Sequence, residues 1–148
     1  MDSLRPLIAY TKWANEIWLD AVFTQASGDE YMTRTISHIF LAEQAWFQRI
    51  YAEEVRPDVF STLAQDELRS MAARHGNRYN DLLGTDLSRV ISYRKFNGEP
   101  MESTVLDILN HLVTHGSHHR GQLAVHASRN GLKPPDTAYI TFTRSKKG

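Results

Sequence analysis

The stretch His111-Leu112-Val113-Thr114-His115-Gly116-Ser117-His118-His119-Arg120-Gly121-Gln122-Leu123 holds four of the chain's seven histidines within nine positions. Core packing alone does not require that density. A helix advances about 100° per residue, so side chains four apart stand one turn above the other on the same face. Two His-x-x-x-His pairs follow, His111 with His115 and His115 with His119. On a wheel with His115 at zero, Val105, Ile108, Leu112, Leu123 and His126 fall between about 20° and 80° and define the expected buried stripe. His119 falls at about 40°, inside it, whereas His111 and His118 fall at about −40° and −60°, on its rim. His115 and His119 are thus the pair expected to look into the protein. Neutral imidazoles withdrawn from water need partners for their nitrogens, and a divalent cation satisfies two at once. Two core histidines bonded to carbonyls or water are the plain alternative, and the clustering favours metal.

The rest of the composition narrows what such a metal could do. At 148 residues the chain suits one domain over residues 1–148, with a substantial core. Lys plus Arg equals Asp plus Glu at 17 each, so no overall field attracts nucleic acid, and none is expected as a partner. There is no cysteine, which removes disulfides and protein thiolate ligands. Any metal must be held by nitrogen and oxygen. The first twenty-five residues lack a basic start followed by an apolar run, and no stretch approaches about 18 apolar residues. The expectation is a cytoplasmic domain that does not span a membrane.

Outward from the histidines, apolar spacing predicts three more helices. Ser3 or Asp2 can cap the first, with Pro6 in its opening turn, and Leu7, Tyr10, Trp13, Ala14, Ile17, Trp18, Ala21 and Val22 recur at three-and-four spacing to about Gln25. Ser27 with Glu30 fits a capping box for a second helix from about Tyr31 to Ala52, apolar on most sides and therefore central. His38 is its one histidine, flanked on its face by the small residues Ala42 and Ala45. Thr62 with Gln65 fits a capping box for a third helix, which Gly84 ends. His75 there sits beside Arg74, Asn77 and Arg78 and reads as exposed. Asn97-Gly98 marks a short hairpin between Val90 and Met101. Ser103 or Thr104 can cap the fourth helix, which runs to about Asn130 with Gly131 after it, and Thr137 to Thr143 reads as tail or short strand. The fold class is all-α, a four-helix bundle with a small β-ribbon between helices 3 and 4.

This arrangement resembles the DinB/YfiT-like family of metal-binding four-helix bundles over nearly the whole chain. Tyr10-Thr11-Lys12-Trp13-Ala14-Asn15 is similar to that family's opening motif, His38-Ile39 with Glu43 and Trp46 to its second, and Asn110 to Gln122 to its most diagnostic one. Gly131 and Pro134-Pro135-Asp136 resemble its usual ending. The resemblance implies a metal held by one histidine of the second helix and two of the fourth, here His38, His115 and His119. It also implies a homodimer, and activities such as transfer to low-molecular-weight thiols like bacillithiol, or mycothiol-dependent isomerisation.

Three neutral histidines leave a divalent ion with an open position, as in catalytic zinc sites. Zinc and nickel both suit imidazole donors. With no cysteine in the chain, thiol chemistry needs a thiol from solution, so the leading expectation is a metal-dependent transferase joining such a thiol to a small electrophilic substrate. A metal-dependent hydrolase is second, disfavoured because no Glu follows either helix-four histidine in a zinc-protease pattern. A noncatalytic, metal-stabilised dimerising or binding module is third. Two groups are expected to touch a metal ligand rather than the metal: Gln122, at about −20° on the wheel beside His115, and Asn15. Glu16 reads as surface. Arg120, at about 140°, is expected to point away from the stripe and pair elsewhere.

Overall fold

The periodic segments form helices in the computed structural model, which describes residues 3–147. In chain order these are α1 (Leu4–Gln25), α2 (Glu30–Ile50), α3 (Gln65–Leu82), β1 (Val90–Arg94), β2 (Pro100–Thr104), α4 (Val105–Arg129) and α5 (Tyr139–Ser145). Helices α1 and α2 pack against each other and against both α3 and α4, so α3 and α4 lie on opposite sides of that pair. No helix among the described residues is long and apolar enough to cross a membrane.

Three helix starts differ in detail from the capping expected. Asp29, not Ser27, caps α2, its Oδ1 accepting from the Met32 amide at 3.0 Å. A carboxylate there also favours the positive end of the helix. Helix α3 begins after Ala64 without a side-chain cap, so the Thr62–Gln65 box does not form. Ser3 stands at the N-cap of α1 but makes no capping bond, and Asp2 lies outside the described residues. Thr104 does cap α4, accepting from the Asp107 amide at 3.1 Å. Gly131 follows that helix at φ +71°, where a residue without Cβ is unstrained.

The ribbon is antiparallel, with Val90 opposite Thr104 and Arg94 opposite Pro100. Gly98 takes φ +88° in its turn. Two strands are marginal alone, and these lean on α2 and α4, with Ile91 buried and the rings of Tyr93 and Trp46 edge-on at 5.0 Å. The segment expected as tail or strand is instead the short helix α5. Thr137 before it is fixed by α1, where the Tyr10 hydroxyl donates to its carbonyl at 2.9 Å and Trp18 Nε1 to its hydroxyl at 3.1 Å. Phe142 then buries against Tyr10 and Trp13.

The core consists of two apolar clusters. One runs from Trp18, Ile36, Leu68 and Leu123 outward, the other from Ile8, Phe47, Tyr79 and Leu112. Between them every long helix contributes a buried polar residue: Thr11 and Asn15 from α1, Glu43 from α2, His75 from α3 and Arg120 from α4. The Arg120 guanidinium donates to Asn15 Oδ1 at 2.6 Å, and Asn15 Nδ2 donates to Glu43 Oε1 at 2.8 Å. Buried polar groups persist where they are bonded to one another, and these bonds tie together α1, α2 and α4, while His75 of α3 approaches Glu43 at 3.6 Å without a hydrogen bond.

His75 is therefore buried, at 4% exposure, rather than exposed. It shares the inward stripe of Leu68, Met71, Tyr79 and Leu82, while the charged residues next to it in sequence point outward. Helical face, not sequence neighbourhood, decides burial.

Candidate metal centre

Helix α4 buries Val105, Ile108, Leu109, Leu112, Val113, Gly116, Arg120, Leu123 and Ala127. Its hidden arc is centred near 100° on the same wheel, because the helix packs on α1 as well as on α2. His115 and His119 thus lie on the rim of that arc, half-buried, and not at its centre as the narrower stripe suggested. Arg120 lies inside it, 3% exposed, facing α1. Gly116 makes this approach possible, since a Cβ there would stand 2.7 Å from an Arg120 guanidinium nitrogen and 3.3 Å from the Thr11 hydroxyl.

On the α2 side of the rim, His38, His115 and His119 come together, each able to offer a ring nitrogen within 4.8 Å of the other two. His115 Nε2 and His119 Nε2 are 3.1 Å apart. Two nitrogens on a tetrahedral zinc ion stand about 3.3–3.4 Å apart, from bonds of about 2.0–2.1 Å.

The far nitrogens are fixed by acceptors. His38 Nδ1 lies 2.7 Å from the carbonyl oxygen of Val59, which can only accept, so Nδ1 carries the proton and Nε2 presents a lone pair. The loop that supplies this carbonyl is pinned, as Leu63's amide donates to Ser37 Oγ at 3.0 Å and Phe60's amide to Asp58 Oδ1 at 2.9 Å. Phe60 stacks on the His38 ring at 4.7 Å and 5°, yet is 66% exposed, a cover on the outer side of the site. His119 Nδ1 lies 2.7 Å from Gln122 Oε1, which leaves its Nε2 free in the same way. The Gln122 amide nitrogen is 3.3 Å from His118 Nε2.

Burial and like neighbours favour the neutral form of His115 and His119. Burial first, then the neighbouring imidazoles of His119, His38, His111 and His118, push His115 down from its ordinary 6.5 to about 3. Burial also lowers His119, against an upward pull from its bond to Gln122. Neutral imidazole is the metal-binding form. His111 and His118 flank the trio from exposed positions, His111 against the Trp46 ring at 5.5 Å.

Asn15, expected beside a ligand, is not there: it bonds to Glu43 and Arg120 in the buried layer. Glu16 is exposed. Sequence reasoning missed Glu43 and His75 as partners, their closest approach being 3.6 Å between Glu43 Oε2 and His75 Nδ1. It also missed the Val59 carbonyl, for which no side-chain signal exists. Among the described residues the trio includes no carboxylate.

Comparison with known proteins follows the same lines. The profile of the DinB family matches residues 1–147. The chain is 26% identical over 139 residues to the Bacillus subtilis protein YizA, itself described as uncharacterized, covering 88% of this chain and 85% of that one. It is 21% identical over 131 residues to Protein DinB of the same organism, covering 78% and 76% of the two chains.

Proposed function

The chain belongs to the DinB family, and from that membership and the three convergent imidazoles we propose a divalent-metal-dependent transferase that joins a low-molecular-weight thiol to a small electrophile. The observation that carries this reading is the pair of 2.7 Å bonds that protonate Nδ1 of His38 and His119 and so aim two Nε2 lone pairs inward. His38, His115 and His119 would hold the ion, zinc or nickel, and the other positions around it would stay open. A bound ion would supply Lewis acidity, holding a thiol as thiolate at neutral pH.

The chain's own residues do the rest. Val59 and Gln122 orient two ligand rings, and such outer bonds raise ligand basicity as well as fixing geometry. Phe60 shields His38 from one side, while the rim placement of His115 and His119 leaves the site reachable from solvent. In the net reaction a carbon–sulfur bond forms, the electrophile's leaving group departs with its electron pair, and the thiol proton passes to that group or to solvent. Hydrolysis is disfavoured because, among the described residues, no carboxylate joins the trio's 4.8 Å cluster to serve as base. A purely structural metal is disfavoured because buried hydrogen bonds already tie α4 to α1 and α2, the helices the trio would bridge. A second copy of the chain as partner and a cytoplasmic location belong to the same proposal, and sedimentation at micromolar protein tests the dimer.

The test is to load the protein with cobalt and titrate bacillithiol, mycothiol, glutathione and coenzyme A. We expect a thiolate-to-cobalt absorption band with one of them, absent in His119→Ala. A normal cobalt content with no band for any thiol would overturn the transferase reading.

A further inference from the structure

Below the histidines, the exposed His118, Gly121, Gln122, Val125 and Arg129 of α4 and its partly buried His126 line, with Tyr31 of α2, an open groove of about 620 Å³. The groove runs from His118 past Gln122, the residue whose Oε1 holds His119, to Arg129. Its walls are firm. Tyr31 stacks on His126 at 4.4 Å, and His126 Nε2 donates to Asp29 Oδ2 at 2.8 Å. Its floor is apolar where Val125 lies open to solvent. Asp29, the carboxylate beside it, is already engaged by His126, and no acidic side chain pairs with Arg129 among the described residues. The groove therefore offers an apolar midsection between an end at His118 and Gln122, the latter bonded to His119 of the trio, and a guanidinium with no acidic partner among the described residues.

We propose that this groove is the binding site for a small organic acid whose far end reaches the histidine trio, its carboxylate taken by Arg129. The proposal rests on the metal reading above and adds the class of molecule. Length follows from the helix. Ten residues separate His119 from Arg129, about 15 Å of rise, and an arginine on a helix leans back toward the N-terminus by roughly a turn. A molecule of about 8–10 Å between its reacting atom and its carboxylate spans what remains. Guanidinium and carboxylate match as a two-bond fork, and the flanking methylenes of such a molecule would lie on Val125 and the edge of Tyr31.

Mercaptohexanoate and mercaptohexanol have the required length and differ in the anionic end. Both are titrated into cobalt-loaded protein, reading the thiolate band. In parallel, hexanoate and hexanol, which carry no sulfur, are titrated into zinc-loaded protein while the Arg129 Nε–H resonance is followed by NMR. We expect mercaptohexanoate to bind about tenfold tighter than the alcohol, the range for a charge-assisted pair at a partly exposed site, and hexanoate but not hexanol to shift Arg129. Arg129→Gln should bring the two thiols to near-equal affinity with cobalt content unchanged, and Lys133→Gln, exposed beyond the end of α4, should leave the preference intact. Equal affinities for acid and alcohol in the unaltered protein would overturn the groove while leaving the thiol reading in place. No cobalt band from either thiol, with the hexanoate shift present and lost in Arg129→Gln, would overturn the thiol reading and retain the groove. Absence of both signals overturns both.

Discussion

Replacing Arg120 by methionine keeps the length and apolar volume of the side chain and removes its charge. Arg120 donates to Asn15 Oδ1 at 2.6 Å, to Ser117 Oγ at 3.1 Å and to Thr11 Oγ1 at 3.2 Å, and its guanidinium lies 5.3 Å from the Tyr10 ring. The shortest of these is a charge-assisted bond in a buried layer, of a kind that contributes about 1.5–3 kcal/mol. Its loss also strands Asn15 Oδ1, at about 1–3 kcal/mol for an unpaired buried acceptor, and leaves the Glu43 carboxylate without a cation behind Asn15. These overlap, and breaking a buried charged arrangement from one side costs about 3–5 kcal/mol, so we expect about 3 kcal/mol. For a chain of this size that corresponds to a fall in Tm of roughly 6–12 °C. Urea denaturation and calorimetry of metal-free protein measure it. Combining Arg120→Met with Glu43→Gln should recover about 1 kcal/mol relative to the sum of the single changes, because the second change neutralises the group the first exposed. An Arg120→Met loss below about 1 kcal/mol, or strict additivity, would refute the buried layer as a coupled unit.

Gln122→Leu, which removes the acceptor 2.7 Å from His119 Nδ1, should weaken metal binding about 10- to 100-fold in a competition with a chelating dye, with Tm of the metal-free protein nearly unchanged. Gly116→Ala places a methyl 2.7 Å from the Arg120 guanidinium, and thermal melts should show a loss of about 1–3 kcal/mol as that side chain is pushed from Asn15. Metal-free protein should lose stability as pH falls from 6.5 toward 3. His115 is held down to about 3 when folded, and His119 and His111 are lowered in the same direction, so through that window the unfolded chain binds protons that the native state refuses. A melting temperature that stays flat or rises on acidification across that interval, read by circular dichroism, would contradict the burial of these rings. His75→Ala should leave metal content unchanged while lowering stability, since His75 lies in the buried layer and not among the three histidines.

Much of this was readable from spacing. Apolar residues at three-and-four intervals place the four long helices, Asn97-Gly98 places the ribbon, and His115 with His119 one turn apart must share a face on any helix. The errors have physical causes. The wheel for α4 weighed Leu112 and His126 and omitted Leu109, Val113, Gly116 and Ala127, so it described the contact with α2 and overlooked that with α1. That one omission moved Arg120 outside and placed the histidines too deep. His75 was read from its charged neighbours when its stripe, shared with Met71 and Tyr79, already pointed inward. The turn of α5 was hidden because its order depends on Thr137 being bonded by Tyr10 and Trp18 more than a hundred positions away. The Val59 carbonyl belongs to no residue type, and only the folded loop brings it to His38.

Metal content per chain, determined by plasma mass spectrometry after dialysis of zinc- or nickel-loaded protein, decides whether His38, His115 and His119 form the centre. One divalent ion per chain is expected in the unaltered protein and in His111→Ala and His118→Ala, whose rings stand outside the trio. Close to none is expected in His38→Ala, His115→Ala or His119→Ala. Retention of a full equivalent in any of those three, or its loss in His111→Ala or His118→Ala, would contradict the assignment of these ligands.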